Sequence, residues 1–278
     1  MLFPAGATAQ RAPVIDTEDA GLGGTAVGAG RFHPIIGLDL RNGDFARGGY
    51  DDDAANLDRV PVHAQLGFAW ELGRDRAGKA DFWLVGTSSN GLHAPVAAEW
   101  ARPRGWYESN NLVGLVVAPG GGWRLGAAYT IKASPNGVSA TTHEASLTAA
   151  LDGERGLAAL HPAAAVTTRT RGDGGVYAQA SIQPELALGH GEDAPSLSVP
   201  LLVGTGWGGF YGPGTGTVAY ASAGLAYAHP FTAGGAHWRL RAEVLALLRD
   251  ATLRRLGSED AETAAVVPLA TVGVTMAF

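Results

Sequence analysis

The sequence predicts an all-β fold: a closed antiparallel transmembrane β-barrel of about twelve strands. Apolar and polar residues alternate with a period of two in many separate segments, as in strands whose two faces meet different surroundings. Several of these segments are 11 to 14 residues long, which exceeds the roughly 5–6 residues of an average globular strand and matches a tilted membrane crossing. A soluble sandwich gives the same alternation, so strand length favours the membrane barrel.

The clearest strand is the last one, 265–278. One face is apolar: Val266, Pro268, Ala270, Val272, Val274, Met276 and Phe278. The other face is mixed: Val267, Leu269, Thr271, Gly273, Thr275 and Ala277. A soluble domain rarely ends on an open apolar edge, because such edges aggregate, whereas closure of a barrel pairs the edge and places the apolar face in lipid.

Twelve segments make up the predicted barrel. The alternation is also clear in 59–73, 123–133, 174–189 and 236–248. Segment 81–91 has no clear phase and 157–170 is rich in alanine, so register is least certain there. An even strand number brings both ends of a single-chain barrel to the same side of the membrane. The remaining predicted strands are 31–41, 106–118, 138–151, 195–207, 216–229 and 265–278.

Composition narrows the class of protein. The chain has 278 residues, a length compatible with one all-β domain, and no cysteine, which fits an exported protein that does not rely on disulfides. Its net charge of −6 argues against a nucleic-acid partner. No apolar run approaches the roughly 18 residues that a spanning helix needs. Any membrane crossing is therefore expected to be made by strands.

The N-terminal region is predicted to lie outside the barrel. Ala7-Thr8-Ala9 has the small-x-small form of a signal-peptidase site, so 1–9 is interpreted as a signal-peptide remnant. A disordered Ala/Gly terminus is the alternative. Residues 10–30 are glycine-rich without a period and are expected to form a flexible segment, which leaves 31–278 for the barrel.

The connections alternate in length if the first strand runs outward. Long connections are predicted on the outer side and short ones on the inner side, as in bacterial barrels. The short segments 134–137 and 171–173 depart from this pattern. The long connections are 42–58, 92–105, 208–215 and 249–263, and the short ones are 119–122, 152–155 and 230–235.

Aromatic residues sort to the two ends of the predicted strands. Two aromatic girdles are expected at the membrane–water interfaces, because an amphipathic ring prefers that position. The inner girdle is predicted to contain Trp70, Phe82, Trp123, Phe231, Trp238 and Phe278. The outer girdle is predicted to contain Trp106, Tyr107, Trp207, Phe210 and Tyr211.

The last strand resembles the terminal strand of Gram-negative outer-membrane barrels, which characteristically finish on Phe. Three further stretches, in order, resemble a loose group of uncharacterised bacterial outer-membrane barrels classed as porins: 105–111 (Gly-Trp-Tyr-Glu-Ser-Asn-Asn), 129–137 followed by Thr142-His143-Glu144, and 197–204. The resemblance covers about 100–230 and departs from the group in the loop 205–215. It implies an outer-membrane location, contact with outer-membrane lipid, and recognition of the C-terminal strand by the barrel-assembly machinery. It transfers no binding residue.

No catalytic arrangement stands out. A lipase-type barrel needs adjacent Ser and His, and the nearest candidates are Ser88, Ser89, Asn90 and His93. The acidic run Asp51, Asp52 and Asp53 is typical of a solvated loop. No two of the eight histidines have i, i+2 or i, i+4 spacing. We therefore expect no enzyme activity, no cofactor and no metal.

The inward-facing polar residues are the remaining candidates for function. Opposite charges are balanced among them, which fits either a field that selects small polar solutes or ion pairs that fill a narrow barrel. The first hypothesis is a passive diffusion channel for small polar solutes, and the alternative is an occluded structural or surface-interaction barrel, with a barrel enzyme disfavoured. The pore-lining candidates are Glu71, Glu108, Arg124, Lys132, Glu144, Arg169, Tyr177, Gln179, Glu185, Arg239, Arg241 and Glu243.

Overall fold

The computed structural model describes residues 11–13, 24–26, 31–50, 60–74, 80–97, 99–190, 194–256 and 264–277. Twelve antiparallel strands form the barrel. In chain order they are β1 Phe32–Arg41, β2 Val62–Arg74, β3 Asp81–Leu92, β4 Trp106–Gly120, β5 Trp123–Ala133, β6 Thr142–Leu151, β7 Ala163–Arg171, β8 Val176–Ile182, β9 Leu201–Trp207, β10 Val218–Ala233, β11 Ala236–Arg249 and β12 Val266–Ala277. Among the described residues, no helix is both long and apolar enough to cross a membrane.

Each strand pairs with its neighbours in chain order, and β12 pairs with β1 to close the sheet. The closing ladder runs from Thr271 opposite Arg41 to Ala277 opposite Ile35. The predicted fold class, a closed antiparallel barrel of about twelve strands, is confirmed. Phe278, the last residue of the predicted terminal strand, lies outside the described residues.

Several strand bounds differ from the predicted ones: β6 begins at Thr142, β8 ends at Ile182 and β9 begins at Leu201. The segment 157–170 begins with a 3-10 turn at Gly156–Leu160, so β7 starts only at Ala163. The segment 216–229 continues to Ala233, which leaves a two-residue connection at 234–235. Beyond β8 and β9, the short strands Glu185–Ala187 and Ser196–Ser198 pair with each other and extend the same hairpin.

Connections are longer on average at one end of the barrel than at the other. We call the end with the connections 42–61, 93–105, 134–141, 172–175, 208–217 and 250–265 the loop end. The turn end carries 75–80, 121–122, 152–162, 183–200 and 234–235. Longer connections characterise the outer side of bacterial barrels, so we assign the loop end to the outside.

The outer wall is apolar. Outward side chains on every part of the wall are exposed, including Leu38, Leu66, Val113, Leu147, Val203 and Val244. An apolar surface that surrounds a closed sheet is far larger than a soluble monomer tolerates, and it is the surface that lipid covers. This wall therefore contacts the hydrocarbon of a membrane.

Aromatic residues mark the turn end of this wall. Trp70, Phe82 and Trp123 are exposed and point outward there, where the sequence placed them. On β10 and β11, the rings of Tyr227, His229, Phe231 and Trp238 stack in a row with centroids 6.3 to 6.5 Å apart.

The predicted outer girdle needs a correction, because Tyr107 and Phe210 are buried inside the barrel and Tyr211 packs against the interior cluster that contains Phe210. Tyr107 is the extra residue of a β-bulge between β3 and β4, which turns its ring inward. Phe210 follows Gly208 and Gly209, both at positive φ, and this turn directs the chain into the mouth.

The barrel interior is partly apolar. One cluster of buried side chains lies on β2 to β5: Ala69, Trp83, Val85, Leu112, Val116 and Ala128. A second cluster joins the first loop to the opposite wall: Phe45, Tyr50, Tyr177, Phe210, Val218, Tyr220, Leu247, Leu253 and Val267. A barrel of this strand number is narrow enough for side chains and one loop to fill much of it.

The predicted N-terminal segments are described only in part. Residues 1–9, interpreted as a signal-peptide remnant, lie outside the described residues. Within 10–30, Arg11–Pro13 pairs with Gly24–Ala26 in a short antiparallel ladder. The flexible segment stays a prediction for the rest of that range.

Candidate functional site inside the outer mouth

The first loop folds inward as a short hairpin, residues 44–50, which we call the loop-1 plug. Phe45–Ala46 pairs with Gly49–Tyr50 across a two-residue turn. Both turn residues have positive φ, 52° at Arg47 and 77° at Gly48, as a tight hairpin turn requires. For arginine this conformation costs about 1–2 kcal/mol. Contacts elsewhere must therefore hold the tip of the plug in place.

Arg47 forms a two-point ion pair with Glu144 on β6. Its two terminal nitrogens donate to Glu144 Oε1 and Oε2, each at 2.8 Å, and both side chains are buried. The Arg47 guanidinium also lies 4.9 Å from the centre of the Tyr177 ring. Arg169 Nε is 3.6 Å from Glu144 Oε1. A bidentate pair of this kind combines strength with a fixed geometry.

Other walls of the barrel also hold the plug. Arg249 Nε on β11 donates to the Gly48 carbonyl at 2.8 Å, and the Tyr211 hydroxyl donates to the Arg47 carbonyl at 2.8 Å. A side chain at Gly48 would lie 2.5 Å from the Tyr220 ring, so the plug backbone rests directly on that ring. Burial raises the pKa of Tyr211 well above its ordinary value, which keeps this donor protonated. The plug therefore crosses the mouth from β1 to the opposite wall.

Beside the plug lies a second group of buried polar side chains, which we call the histidine cluster. Three of its members lie in one row across the sheet. Asp39 is paired with His63, His63 with Gly91, and Gly91 with Glu108. Paired residues on neighbouring antiparallel strands share a face, so all of these positions face inward. The full cluster is Asp39, Arg41, Asp44, His63, Tyr107, Glu108 and Asn110.

His63 is the centre of this cluster and is 2% exposed. Its Nε2 lies 3.3 Å from Asp44 Oδ2, 3.4 Å from Glu108 Oε2 and 2.8 Å from the Tyr107 hydroxyl. Its Nδ1 lies 3.3 Å from Asp39 Oδ1. Gly91 makes this approach possible, since a side chain there would lie 2.5 Å from the Tyr107 ring.

Asp44 connects the plug to the cluster. The Tyr107 hydroxyl donates to Asp44 Oδ2 at 2.6 Å, and Arg41 donates to Asp44 Oδ1 at 3.2 Å. Burial alone would raise the pKa of Asp44, but the charges and hydrogen bonds of His63, Arg41 and Tyr107 hold it well below its ordinary value. Asp44 is therefore a carboxylate at neutral pH, buried beside an imidazole.

The predicted pore-lining residues fall into three groups. Five are buried: Glu108, Arg124, Glu144, Tyr177 and Gln179. Four are partly buried: Glu71, Lys132, Arg169 and Glu243. Three are exposed: Glu185, Arg239 and Arg241. The structure brings Glu144 and Arg169 together around the plug, and it pairs Arg241 with Glu243 at the turn end.

The sequence interpretation missed the residues that the first loop contributes. The sequence pattern places Arg47 and Asp44 within a long outer connection, and it shows His63 only as one of eight histidines without metal-ligand spacing. The segment Phe45-Ala46-Arg47-Gly48-Gly49-Tyr50 does carry a hairpin signal, because glycines at a tight turn are flanked by aromatic residues. That pattern does not indicate that the hairpin folds into the barrel.

No protein-family model matches the sequence, and no curated protein matches it either. Similar solved structures include LpxR from Salmonella typhimurium, with 9% identity, coverage of 87% of this chain and 99% of that chain, and a TM-score of 0.45. Outer membrane phospholipase A from Escherichia coli matches with 15% identity, 90% and 93% coverage, and a TM-score of 0.43. The β domain of the Bordetella autotransporter BrkA matches with 9% identity, 88% and 98% coverage, and a TM-score of 0.40. At these identities the likeness concerns the fold alone.

These matches correct one expectation and leave another unconfirmed. The expectation of no enzyme activity, made because no catalytic arrangement stands out in the sequence, is corrected: barrels of similar fold include a phospholipase. The resemblance to barrels classed as porins is not confirmed, since the structures named above are not porins. The closed barrel with its apolar wall is a transmembrane β-barrel in contact with membrane lipid.

Proposed function

We propose that this protein is an outer-membrane barrel whose outer mouth is closed by its own first loop, so that it acts as a structural or surface-interaction barrel and not as a freely open pore. The observation that carries the proposal is the buried ion pair between Arg47 and Glu144. It fixes a loop from one side of the mouth to the wall on the other side.

The energetics of a buried pair support a closed resting state. Removal of one partner leaves the other charge buried and uncompensated, at a cost of about 3–5 kcal/mol. The closed arrangement is also supported by the aromatic contacts of the plug with Tyr177 and Tyr220. Opening the mouth would require all of these contacts to break together. We therefore expect openings to be rare.

Conductance in planar lipid bilayers tests this closure. Refolded wild-type protein should give almost no steady current. Glu144→Gln should destabilise the closed plug by about 3 kcal/mol, which corresponds to a shift on the order of 100-fold in the closed-to-open equilibrium. The variant should therefore show frequent openings. Glu71→Gln is the matched control, because Glu71 also faces the interior but lies near the turn end of β2, and it should behave as wild type.

Two results would contradict closure by the plug. A stable current from wild-type protein would show that the mouth is open. A Glu144→Gln variant that is folded, as judged by faster migration of unheated than boiled protein on SDS gels, and that stays silent would show that the ion pair does not hold the plug.

A passive diffusion channel for small polar solutes is the second candidate. It is favoured by the exposure of Arg239 and Arg241 on the inward face of β11, which indicates water in the barrel at the turn end. Such a channel would need the plug to move aside in the resting state, and the wild-type bilayer recording distinguishes the two candidates. Recognition of the C-terminal strand by the assembly machinery remains part of the proposal under both.

A further inference from the structure

We propose that Asp44, His63 and Glu108 bind one first-row divalent transition-metal ion, with zinc as the representative ion. Their ligand atoms all lie within 4.8 Å of one another and all three residues are buried. The site would join the plug to β2 and β4, because Asp44 belongs to the plug and the other two residues belong to the wall. It concerns ion binding and does not depend on whether the mouth conducts.

The distances around His63 suit such an ion. Zinc binds imidazole nitrogen and carboxylate oxygen at about 2.0–2.2 Å, so tetrahedral ligand atoms lie about 3.3–3.5 Å apart. His63 Nε2 is 3.3 Å from Asp44 Oδ2 and 3.4 Å from Glu108 Oε2. The imidazole nitrogen therefore already has ligand spacing to both carboxylates, and all three ligand atoms lie within 4.8 Å of one another. The Tyr107 hydroxyl, 2.6 Å from Asp44 Oδ2, provides a further oxygen beside them.

A second and independent feature is the way outer partners orient each ligand. Arg41 donates to Asp44 Oδ1, which leaves Oδ2 directed at the imidazole. Asn110 donates to Glu108 Oε1, which leaves Oε2 directed at the imidazole. Asp39 faces His63 Nδ1, the nitrogen that a metal-bound histidine normally uses to contact a carboxylate or carbonyl. In each proposed ligand, one atom thus contacts a neighbouring side chain, and the other atom is directed toward the space between the three ligands.

The charges of the cluster also favour a divalent cation. Three carboxylates, Asp39, Asp44 and Glu108, face one guanidinium, Arg41. A divalent cation among these carboxylates would offset part of their negative charge. Buried carboxylates are costly unless they are paired or coordinate a metal. One nitrogen ligand in an enclosed site favours zinc over calcium, which takes six to eight oxygen ligands.

Binding to the refolded full-length protein in detergent tests the site. Equilibrium dialysis followed by elemental analysis should give one zinc ion per chain, and calcium in tenfold excess should not displace it. His63→Gln and Glu108→Gln should each weaken zinc binding at least 100-fold. Asp39→Asn should weaken it about 10- to 100-fold, as loss of an outer partner does. His143→Gln is the matched control on the neighbouring wall and should bind as wild type.

Cobalt binding to the wild-type protein tests the site even if a variant fails to fold, because it needs no substitution. Co²⁺ bound to wild-type protein should give the intense visible absorption of a four-coordinate site, and zinc should abolish it. Three results would each overturn the proposal. The wild-type protein could fail to bind stoichiometric zinc, or folded His63→Gln and Glu108→Gln variants could bind zinc with wild-type affinity. The third is a loss of zinc affinity in His143→Gln as large as in those two variants. Conductance enters none of these readouts, so failure of the metal site is distinguishable from failure of the closed mouth.

Discussion

At the residue scale, glycines on the inner wall decide how close the aromatic side chains can come. Gly204 on β9 faces inward beneath the second apolar cluster. A side chain there would place Cβ 2.3 Å from a Tyr220 ring carbon and 2.9 Å from the Tyr177 hydroxyl. These two tyrosines share a hydrogen bond of 2.5 Å and support the plug from below. The absence of a side chain at Gly204 is what allows both rings to lie against the wall.

Gly204→Ala is therefore expected to destabilise the barrel by overpacking, by about 1–3 kcal/mol. Gly73→Ala is the matched control, because nothing lies within 4 Å of its added Cβ, and it should change stability by about 0.5 kcal/mol or less. Urea unfolding followed by tryptophan fluorescence measures both variants. Equal midpoints would show that Tyr220 can yield without cost.

At the element scale, the outer loops are held by buried polar groups. In loop 93–105, the Glu99 carboxylate accepts hydrogen bonds from Val96 N at 2.8 Å and from Gly105 N at 2.5 Å. It also accepts one from Asn136 Nδ2 of the next loop at 3.0 Å. The adjacent Trp100 is 79% exposed. One carboxylate thus ties two loops together and presents an aromatic side chain at the outer surface.

This arrangement predicts a dependence of loop order on pH. Burial alone would raise the pKa of Glu99, but the hydrogen bonds from Asn136, Val96 and Gly105 outweigh it and lower the pKa below its ordinary 4.5. A lowered folded-state pKa means that the stabilisation is complete above about pH 4.5 and is lost as the pH falls through the folded value. Hydrogen-exchange protection of this loop, corrected for intrinsic rates, should be constant from pH 8 to pH 5 and decrease below pH 4.

Glu99→Gln separates this carboxylate from other acidic groups. The variant should show weaker protection at pH 7 and little further loss in acid. If the acid profile of the variant matched that of wild type, a different group would be responsible for the loosening of the loop.

At the scale of the whole molecule, the two faces of each strand meet different surroundings. Val272 on β12 points outward and is 51% exposed. Its neighbour Thr271 points inward and is paired with Arg41 and Glu243 on the flanking strands. The two positions lie at nearly the same depth in the membrane. They differ in whether lipid or the polar interior surrounds the side chain.

Arginine at these two positions should have different costs. Val272→Arg places a charge in hydrocarbon and should cost about 2–4 kcal/mol. Thr271→Arg places it in the polar interior between Glu243 and Arg41, whose opposite charges offset each other, and should cost about 1 kcal/mol or less. Reversible folding into lipid vesicles, titrated with urea, measures both. Similar losses would mean that the inward and outward faces of β12 are assigned wrongly.

The sequence by itself determined the number of strands, many of their bounds and the face that most strand residues occupy. These properties follow from a period of two, which is local and needs no knowledge of what packs against a strand. Bounds differ at several segments, among them 157–170, where alanine weakens the period, and 216–229, which continues to Ala233. Tyr107 also departed from the pattern, because a bulge adds a residue that the alternation cannot show.

Only the tertiary structure decided what fills the barrel. Arg47 meets Glu144 across 97 positions of sequence, and Arg249 meets Gly48 across 201. His63 and Glu108 come together because Gly91 lies between them on the intervening strand. Such contacts depend on the register of several ladders at once and on the direction in which a loop folds. The local alternation of side chains predicts neither the register of the ladders nor the direction of the loop. The plug and the histidine cluster could therefore be identified only from the closed barrel.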